Sequence, residues 1–592
     1  MNYLWMLVIH MNKNIFQQQL FLGFVNKVTT GSVTVHVPSS KYLSKFYYYG
    51  EEFHGGLINS FVVIEGENIG FIGRVISAEL PEKERLDLST EALKEKDFHP
   101  LLKVEILSIF DYFDVSFRKS ISDYPNVGAK VFIARKDIID RYIKQLEIKD
   151  SHLKTSNFAH LLNNKKITVD FSLQTLFSRH AAIVGTTGNG KSYTTSKLIE
   201  NLLANNQKVI LIDATGEYRE LAESYDTMVQ IINLGTAHHI DYRKLTIDDL
   251  FYLVKPSMNS QAPKLREAIK SLKLLEYAAD ELAVYIEECP NGYKILRKKG
   301  KNKEPFLSIL HSNIDEVSAD DLNFDIRGLA IQVENECIQE GSNDKFGKTD
   351  ERSLGFCTTM ITRINLLLTE NNFNCIFNFN RKNTTVDAYE LLENFVNKNN
   401  KKLFYMNLSN LPFSFDIREV VANSIGKKML HFARQGKFKK YPVVMVIDEA
   451  HQFLNKTVSN DFESFKLEAF DHIAKEGRKY GLFLCITTQR PRDIPSGTLS
   501  QVGTFIVHRL INQKDKEIIL NALPTSNKDI INYLSELGQG EVIISSTDIK
   551  IPLLLKVNEP IISPDSVTPV FREYVEENQH IELENDERLL KI

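Results

Sequence analysis

Tryptophan and cysteine are scarce in this chain of 592 residues, which has one Trp (Trp5) and five Cys. Cys289, Cys337, Cys357, Cys375 and Cys485 are scattered with no paired spacing. That excludes a zinc-knuckle or disulfide framework and suits a reducing compartment. An excess of one charge is also lacking, since Lys+Arg 72 against Asp+Glu 76 leaves −4. The surface as a whole does not attract a polyanion, so any contact with nucleic acid must be local, in a patch or a pore. Long apolar runs are missing too. The opening "MNYLWMLVIH" is apolar but far shorter than a bilayer span, and it has neither a basic flank nor a small-residue cleavage site. The expectation is a cytoplasmic protein with no membrane association, whose start is Met11 rather than Met1. Internal repeats and low-complexity blocks are absent.

The content is that of an ordinary globular protein, 43% hydrophobic and 25% charged, and the chain is too long for one core. Residues 20–135 alternate in short strands. "GSVTVHVP" presents Val33, Val35 and Val37 on one face, "LLKVEILSIF" presents Leu102, Val104 and Ile106, and "FVVIEGENIGFIGRVIS" has glycine-marked turns. Such strands without a strong helix predict a small β-barrel, which with the 137–165 linker sets a first domain over about 1–150. From about 180 the pattern becomes strand–loop–helix. "KVILID", "KLFYMNLS", "PVVMVID", "LFLCITT" and "TFIVHRL" are near-continuous apolar runs, as strands buried on both faces must be. They predict an α/β core with a parallel sheet over 151–560. A mostly helical insertion at about 245–400 carries helical periodicity at 263–288, 326–339 and 354–370. An acidic tail or arm, "EENQHIELENDERLL", closes the chain within 561–592.

"GTTGNGKS" follows a predicted strand and opens a predicted helix. In a phosphate-binding loop, Gly185, Thr186, Thr187, Gly188, Asn189 and Gly190 would wrap ATP phosphates with backbone N–H groups. Lys191 would reach the β/γ oxygens, and Ser192 would hold Mg²⁺. The loop needs a carboxylate from a neighbouring strand end. "PVVMVIDEAHQFL" supplies Asp448 for Mg²⁺ and Glu449 to orient or deprotonate the attacking water. A second acidic strand end, "VILIDATGEY", puts Asp213 and Glu217 at the same edge, where they serve either the cofactor or a capped turn. Gln489, ending "LFLCITTQ", is placed to sense the γ-phosphate.

Taken in order, "SRHAAIVGTTGNGKS", "ILIDATGEY", "VIDEAHQFL", "EGRKYGLFLCITTQRP" and "LGQGEVIIS" resemble the HerA family of the HerA/FtsK ATPases. The N-terminal "FLGFVNKV" and "GFIGRVISAEL" are similar to that family's β-barrel. The chain departs from the family at "DATGEY", where Asp-Pro-His-Gly-Glu-Tyr is usual, and over 245–400. The resemblance implies a RecA-like P-loop core forming a homohexamer, with ATP at subunit interfaces and double-stranded DNA in a central pore. It also implies a nuclease or other effector as partner, antiviral defence included. The family's "GRK" falls at Arg478, which makes Arg478 the expected catalytic arginine acting on a neighbouring subunit's nucleotide, with Arg509 as the fallback. As plain chemistry, Arg478 and Lys479 would cap a helix C-terminus, worth about 0.3–1 kcal/mol.

Two basic runs, "KILRKKGKNKE" (294–304) and "RQGKFKK" (434–440), are either DNA contacts or solvated loops. Neither is interleaved with aromatics, so backbone tracking of a duplex is favoured over stacking on single strands. Besides a DNA translocase, the motifs admit an ATP-gated ring scaffold that recruits an effector without moving on DNA. A conjugation-type pump is disfavoured because no membrane anchor is found.

Overall fold

The structure, a computed structural model, describes residues 15–81, 98–112, 115–118, 123–146, 153–341, 344–380, 385–398, 400–454, 457–460, 463–524, 531–549 and 552–566. Trp5, the Met1 or Met11 start and most of the acidic tail lie outside the described residues. Among the described residues no helix is long and apolar enough to cross a membrane.

Strands β1 (Phe21–Thr29), β2 (Ser32–His36), β3 (Phe61–Ile64), β4 (Ile69–Glu79), β5 (Leu101–Asp111) and β6 (Lys130–Ile133) pair in the order β2-β1-β6-β3-β4-β5. Antiparallel pairing of β2 with β5, in the register Val33↔Val104 and Val35↔Leu102, closes them into the expected barrel. The alternating residues Val33, Val35, Leu102 and Val104 fill its interior together with Val62 and Ile64. The run Phe61–Ile64 is wholly buried because its other face is covered as well. Phe61 and Val63 join Ile139 and Tyr142 of helix α1 (Lys136–Leu146) in the core of the next domain. Arg74 ties the two units, donating to the Pro552 carbonyl at 2.8 Å and to Glu105 at 2.7 Å.

The expected polar linker after α1 is instead part of the second sheet. Strands β7 (Ala159–Leu161) and β8 (Asn164–Val169) are its outermost members at one end. The remaining strands are β9 (His180–Val184), β10 (Lys208–Asp213), β11 (Val229–Ile232), β12 (Leu403–Asn407), β13 (Val443–Ile447), β14 (Leu482–Thr488), β15 (Val502–Val507), β16 (Glu541–Ser546) and β17 (Leu553–Val557). Their order is β8-β7-β17-β16-β15-β9-β14-β13-β10-β12-β11. From β15 to β11 the pairing is parallel, and β16, β17, β7 and β8 extend it antiparallel. Along β13, Val443, Met445 and Ile447 enter one core while Val444 and Val446 enter the other, as an unbroken apolar strand requires.

The insertion is mainly helical, with helices Ile247–Val254, Gln261–Tyr277, Leu329–Glu336 and Glu351–Thr369. The helix expected over 263–288 stops at Tyr277. Beyond it, Ile286–Glu288 pairs with Lys294–Leu296 across the turn Cys289–Gly292, which Pro290 and the positive φ of Gly292 (75°) suit.

Candidate nucleotide site

Strand β9 delivers the phosphate loop to the middle of the eleven-stranded sheet, between β14 and β15. Helix α2 (Lys191–Ala204) starts immediately after it, so the loop N–H groups and the helix N-terminus converge where an anion would sit. Two glycines are dictated by space and torsion. A Cβ on Gly185 would lie 2.5 Å from the His508 Cβ, and Gly190 holds φ +98° as the helix N-cap.

Lys191, Ser192, Glu217, Glu449 and Gln489, all expected from sequence, converge here. Lys191 Nζ donates to Glu449 Oε1 in a buried ion pair. Gln489 bridges loop and carboxylate, its Nε2 donating to Glu449 Oε1 at 2.8 Å and its Oε1 accepting from Thr187 Oγ1 at 2.7 Å. Ser192 Oγ donates to Glu217 Oε2 at 2.6 Å. Asn189 Nδ2 turns inward to Thr186 Oγ1 at 2.5 Å and so shapes the loop. Glu449 holds a left-handed backbone, φ 44°, which costs a non-glycine residue about 1–2 kcal/mol and turns its carboxylate towards Lys191.

Of the two roles expected for Asp213, the structure shows the capped turn. It is fully buried, and its carboxylate accepts from the backbone N–H groups of Thr215, Gly216 and Tyr218 and from the Tyr405 hydroxyl. It builds the loop that carries Glu217, and no oxygen faces the phosphate loop in these contacts. Several partners were not anticipated. Asp448 accepts from Thr487 Oγ1 at 2.6 Å, from Thr215 Oγ1 at 3.3 Å and from Tyr218 at 3.4 Å. His451 Nδ1 lies 3.2 Å from Glu449 Oε2. His508 is fully buried beneath the loop with Nε2 3.0 Å from Thr194 Oγ1, and Gly540 N donates to the Asn189 carbonyl at 3.1 Å. "VHRL" and "LGQG" were the signals for these two, one masked by its arginine and the other lacking any side chain.

Burial pushes Asp448 up to about 7 against the pull of Lys191. Burial also acts upward on Glu449, but His451 and Lys191 outweigh it and hold the carboxyl at about 2. Glu217 is raised by burial, opposed by its Ser192 hydrogen bond and by Lys191. Glu217, Asp448 and Glu449 thus all feel the charge of Lys191, which among the described residues pairs only with Glu449, and that surplus of negative charge suits a divalent cation. Among the described residues no three acidic or imidazole groups stand close enough to hold a metal by themselves. Ser192 and Asp448 would hold Mg²⁺ only with phosphate oxygens completing its shell.

Arg478 and Lys479 are exposed in the turn Gly477–Tyr480, which enters β14 at its N-terminal end. The seven-residue strand Leu482–Thr488 separates them from the phosphate loop, a distance of roughly 20 Å. Arg478 therefore cannot reach the nucleotide site of its own chain. Arg509, exposed at the C-terminal end of β15, lies beside its own loop, its carbonyl accepting from Thr186 N at 3.1 Å. Half of the cations of the 294–304 run are neutralised by carboxylates. Lys298 is buried against Glu336 at 2.7 Å, Arg297 pairs with Glu287 at 2.8 Å and Lys294 with Glu288 at 3.4 Å. In the 434–440 run Arg434 pairs with Glu476, whereas Lys439 and Lys440 stay exposed at the same sheet edge as Arg478.

Comparison with known proteins places this geometry. Residues 157–336 match the family described as "Helicase HerA, central domain", and residues 430–582 match "Helicase HerA-like C-terminal". A probable helicase of Methanocaldococcus jannaschii is 25% identical over 441 residues, 74% of this chain and 71% of the relative. A probable DNA double-strand break repair helicase HerA of the same organism is 25% identical over 429 residues, 68% of this chain and 76% of the relative. The DNA double-strand break repair helicase HerA of Saccharolobus solfataricus is 24% identical over 424 residues, 71% of each chain.

Proposed function

This chain belongs to the HerA-like ATPases, ATP-hydrolysing and helicase-like enzymes, and from that premise we propose that it is a hexameric motor driven along double-stranded DNA by ATP hydrolysis. The observation that carries the reading is the convergence of Lys191, Ser192, Glu217, Asp448, Glu449 and Gln489 on one strand-end cluster. ATP is held by the 185–190 loop through its phosphates. Lys191 leaves Glu449 to meet the phosphates, which frees Glu449 to take a proton from the attacking water while Gln489 orients it. Mg²⁺, when bound, neutralises charge on the phosphate oxygens beside Ser192 and Asp448.

Arg478 supplies the remaining cation from an adjacent subunit. Its position, exposed and a strand's length from its own loop, supports a role in trans and excludes one in cis. The barrel domain (1–150), the core (151–560) and the tail (561–592) then act as one subunit of the ring. A nuclease or other effector works on the DNA it delivers, in repair or antiviral defence. An ATP-gated scaffold that recruits such an effector without moving is the second reading, favoured by the pairing of Lys294, Arg297 and Lys298 with carboxylates in the 294–304 run.

The test is steady-state ATP hydrolysis on linear duplex DNA, paired with the native mass. A sixfold mass and a several-fold rise in turnover with duplex support the motor. A sixfold mass with no response to DNA supports the scaffold, and a monomer in the presence of Mg-ATP contradicts both.

A further inference from the structure

The loop of residues 408–416, which leaves the C-terminal end of β12, has no part in the chemistry described above, yet it is packed directly on the acidic loop that carries Glu217. Leu408 N donates to the Asp213 carbonyl at 2.8 Å. A Cβ on Gly216, whose φ is +88°, would lie 3.0 Å from Ser409 Oγ. The two loops are fastened by one side chain. Arg418, only 7% exposed, donates through Nη2 to the Ser409 carbonyl at 2.5 Å, through Nε to the Leu411 carbonyl at 2.8 Å and through Nη1 to the Ala214 carbonyl at 3.4 Å. A planar fork with five donors in fixed directions suits carbonyls that lie on two loops.

The far end of the same loop is exposed and under torsional strain. The Phe413 ring is 76% exposed and stacks on the Arg418 guanidinium, 3.8 Å from its centroid. Phe415 and Asp416 follow with φ 60° and 51°, a conformation that side chains rarely adopt. Contacts to the insertion hold them there. Asp416 pairs with Lys255 at 2.5 Å, and the Phe415 ring lies 5.2 Å from that of Phe373. A continuous path thus runs from Ser192 through Glu217, Ala214 and Arg418 to an exposed aromatic ring.

We propose that Arg418 is a positioning residue that couples the Ser192–Glu217 pair to the 408–416 loop, so that nucleotide binding shifts the exposed Phe413 ring. The proposal rests on the nucleotide site assigned above. Its consequence is that what happens at the phosphates is reported at a surface well suited to stacking on a base or an effector side chain. Loss of Arg418 removes its tether to the Glu217 loop at Ala214 and frees the Phe413 loop, which it holds at Ser409 and Leu411.

The experiment uses the full chain with Trp5→Phe and Phe413→Trp, so that its indole is the only one. Mg-ATP and Mg-ADP are titrated, and binding is followed independently with a fluorescent ATP analogue. With Arg418 intact, the indole emission shifts with the midpoint of nucleotide binding. With Arg418→Met, nucleotide still binds, KM for Mg-ATP rises roughly tenfold with a smaller fall in kcat, and the emission no longer responds. Arg418→Lys, which keeps the charge but not the fork, restores part of the response, and it decides the matter if Arg418→Met does not fold. An indole that ignores bound nucleotide, or that responds equally in Arg418→Met or Arg418→Lys, overturns the coupling. If the intact chain does not bind the analogue at all, the nucleotide-site assignment has failed and this proposal with it.

Discussion

Asp448→Asn separates the chemical and the structural cost of the site. The Asp448 carboxylate is 1% exposed, and burial raises it from the usual range to about 7. A carboxyl that binds its proton more tightly when folded destabilises the native chain as pH rises through the window between its unfolded and folded values, here about 4 to 7. Moving from 3.8 to about 7 corresponds to about 4 kcal/mol at 1.36 kcal/mol per pH step, an upper bound. Asparagine keeps an acceptor for the Thr487 hydroxyl at 2.6 Å and removes the buried charge. Chemical denaturation at pH 8 and at pH 4.5 is the assay. The variant is expected to gain about 2–4 kcal/mol at pH 8 and little at pH 4.5, while ATP turnover falls at least about a hundredfold. A variant less stable than the parent at pH 8 would refute the reasoning, because the carboxylate would then hold the fold together.

Lys191→Ala should abolish nucleotide binding and cost about 3 kcal/mol or more in stability, since it leaves Glu449 buried without its cation; fluorescent-nucleotide binding and denaturation measure the two. Glu449→Gln should keep ATP bound and lower turnover by about 10²–10⁴, and hydrolysis near the parental rate would remove Glu449 from the role of base. Arg478→Ala and Glu449→Gln rings, mixed, should recover part of the hydrolysis that each lacks alone. No recovery despite subunit exchange would leave Arg509 to be tested next. Burial holds both His180 and His508 down at about 4, so the stability each contributes is complete above pH 6.5 and is lost as pH falls towards 4, up to about 3 kcal/mol each. Measured in the Asp448→Asn chain, where the opposing carboxylate is gone, stability should fall steadily across that window, and His508→Gln should flatten the slope.

The barrel and the parallel sheet were legible because each imposes a periodicity on the chain. Alternation exposes one face of β2 and β5, and the apolar runs of β9, β13 and β14 admit burial on two faces. The candidate nucleotide residues were legible as a cluster because phosphate binding constrains neighbours in sequence, as from Gly185 to Ser192, or a strand end, as at Asp448. Asp213 stayed open between two roles because a carboxylate that caps its own loop and one that faces a ligand have the same local sequence. β7 and β8 were missed because short antiparallel strands at the sheet's end, 159–169, are too polar on their open side to stand out from a linker. Arg418 carried no signal at all. Its three carbonyl partners at 214, 409 and 411 come together only in the fold, and a lone arginine in a helix reads as surface.

Displacement of a third strand from a DNA triplex is the most direct measure of movement along a duplex. With the triplex placed at one end of a linear fragment, the account predicts displacement that requires Mg-ATP, rises with time and disappears in Glu449→Gln. Hydrolysis stimulated by duplex DNA while the triplex stays intact would contradict it.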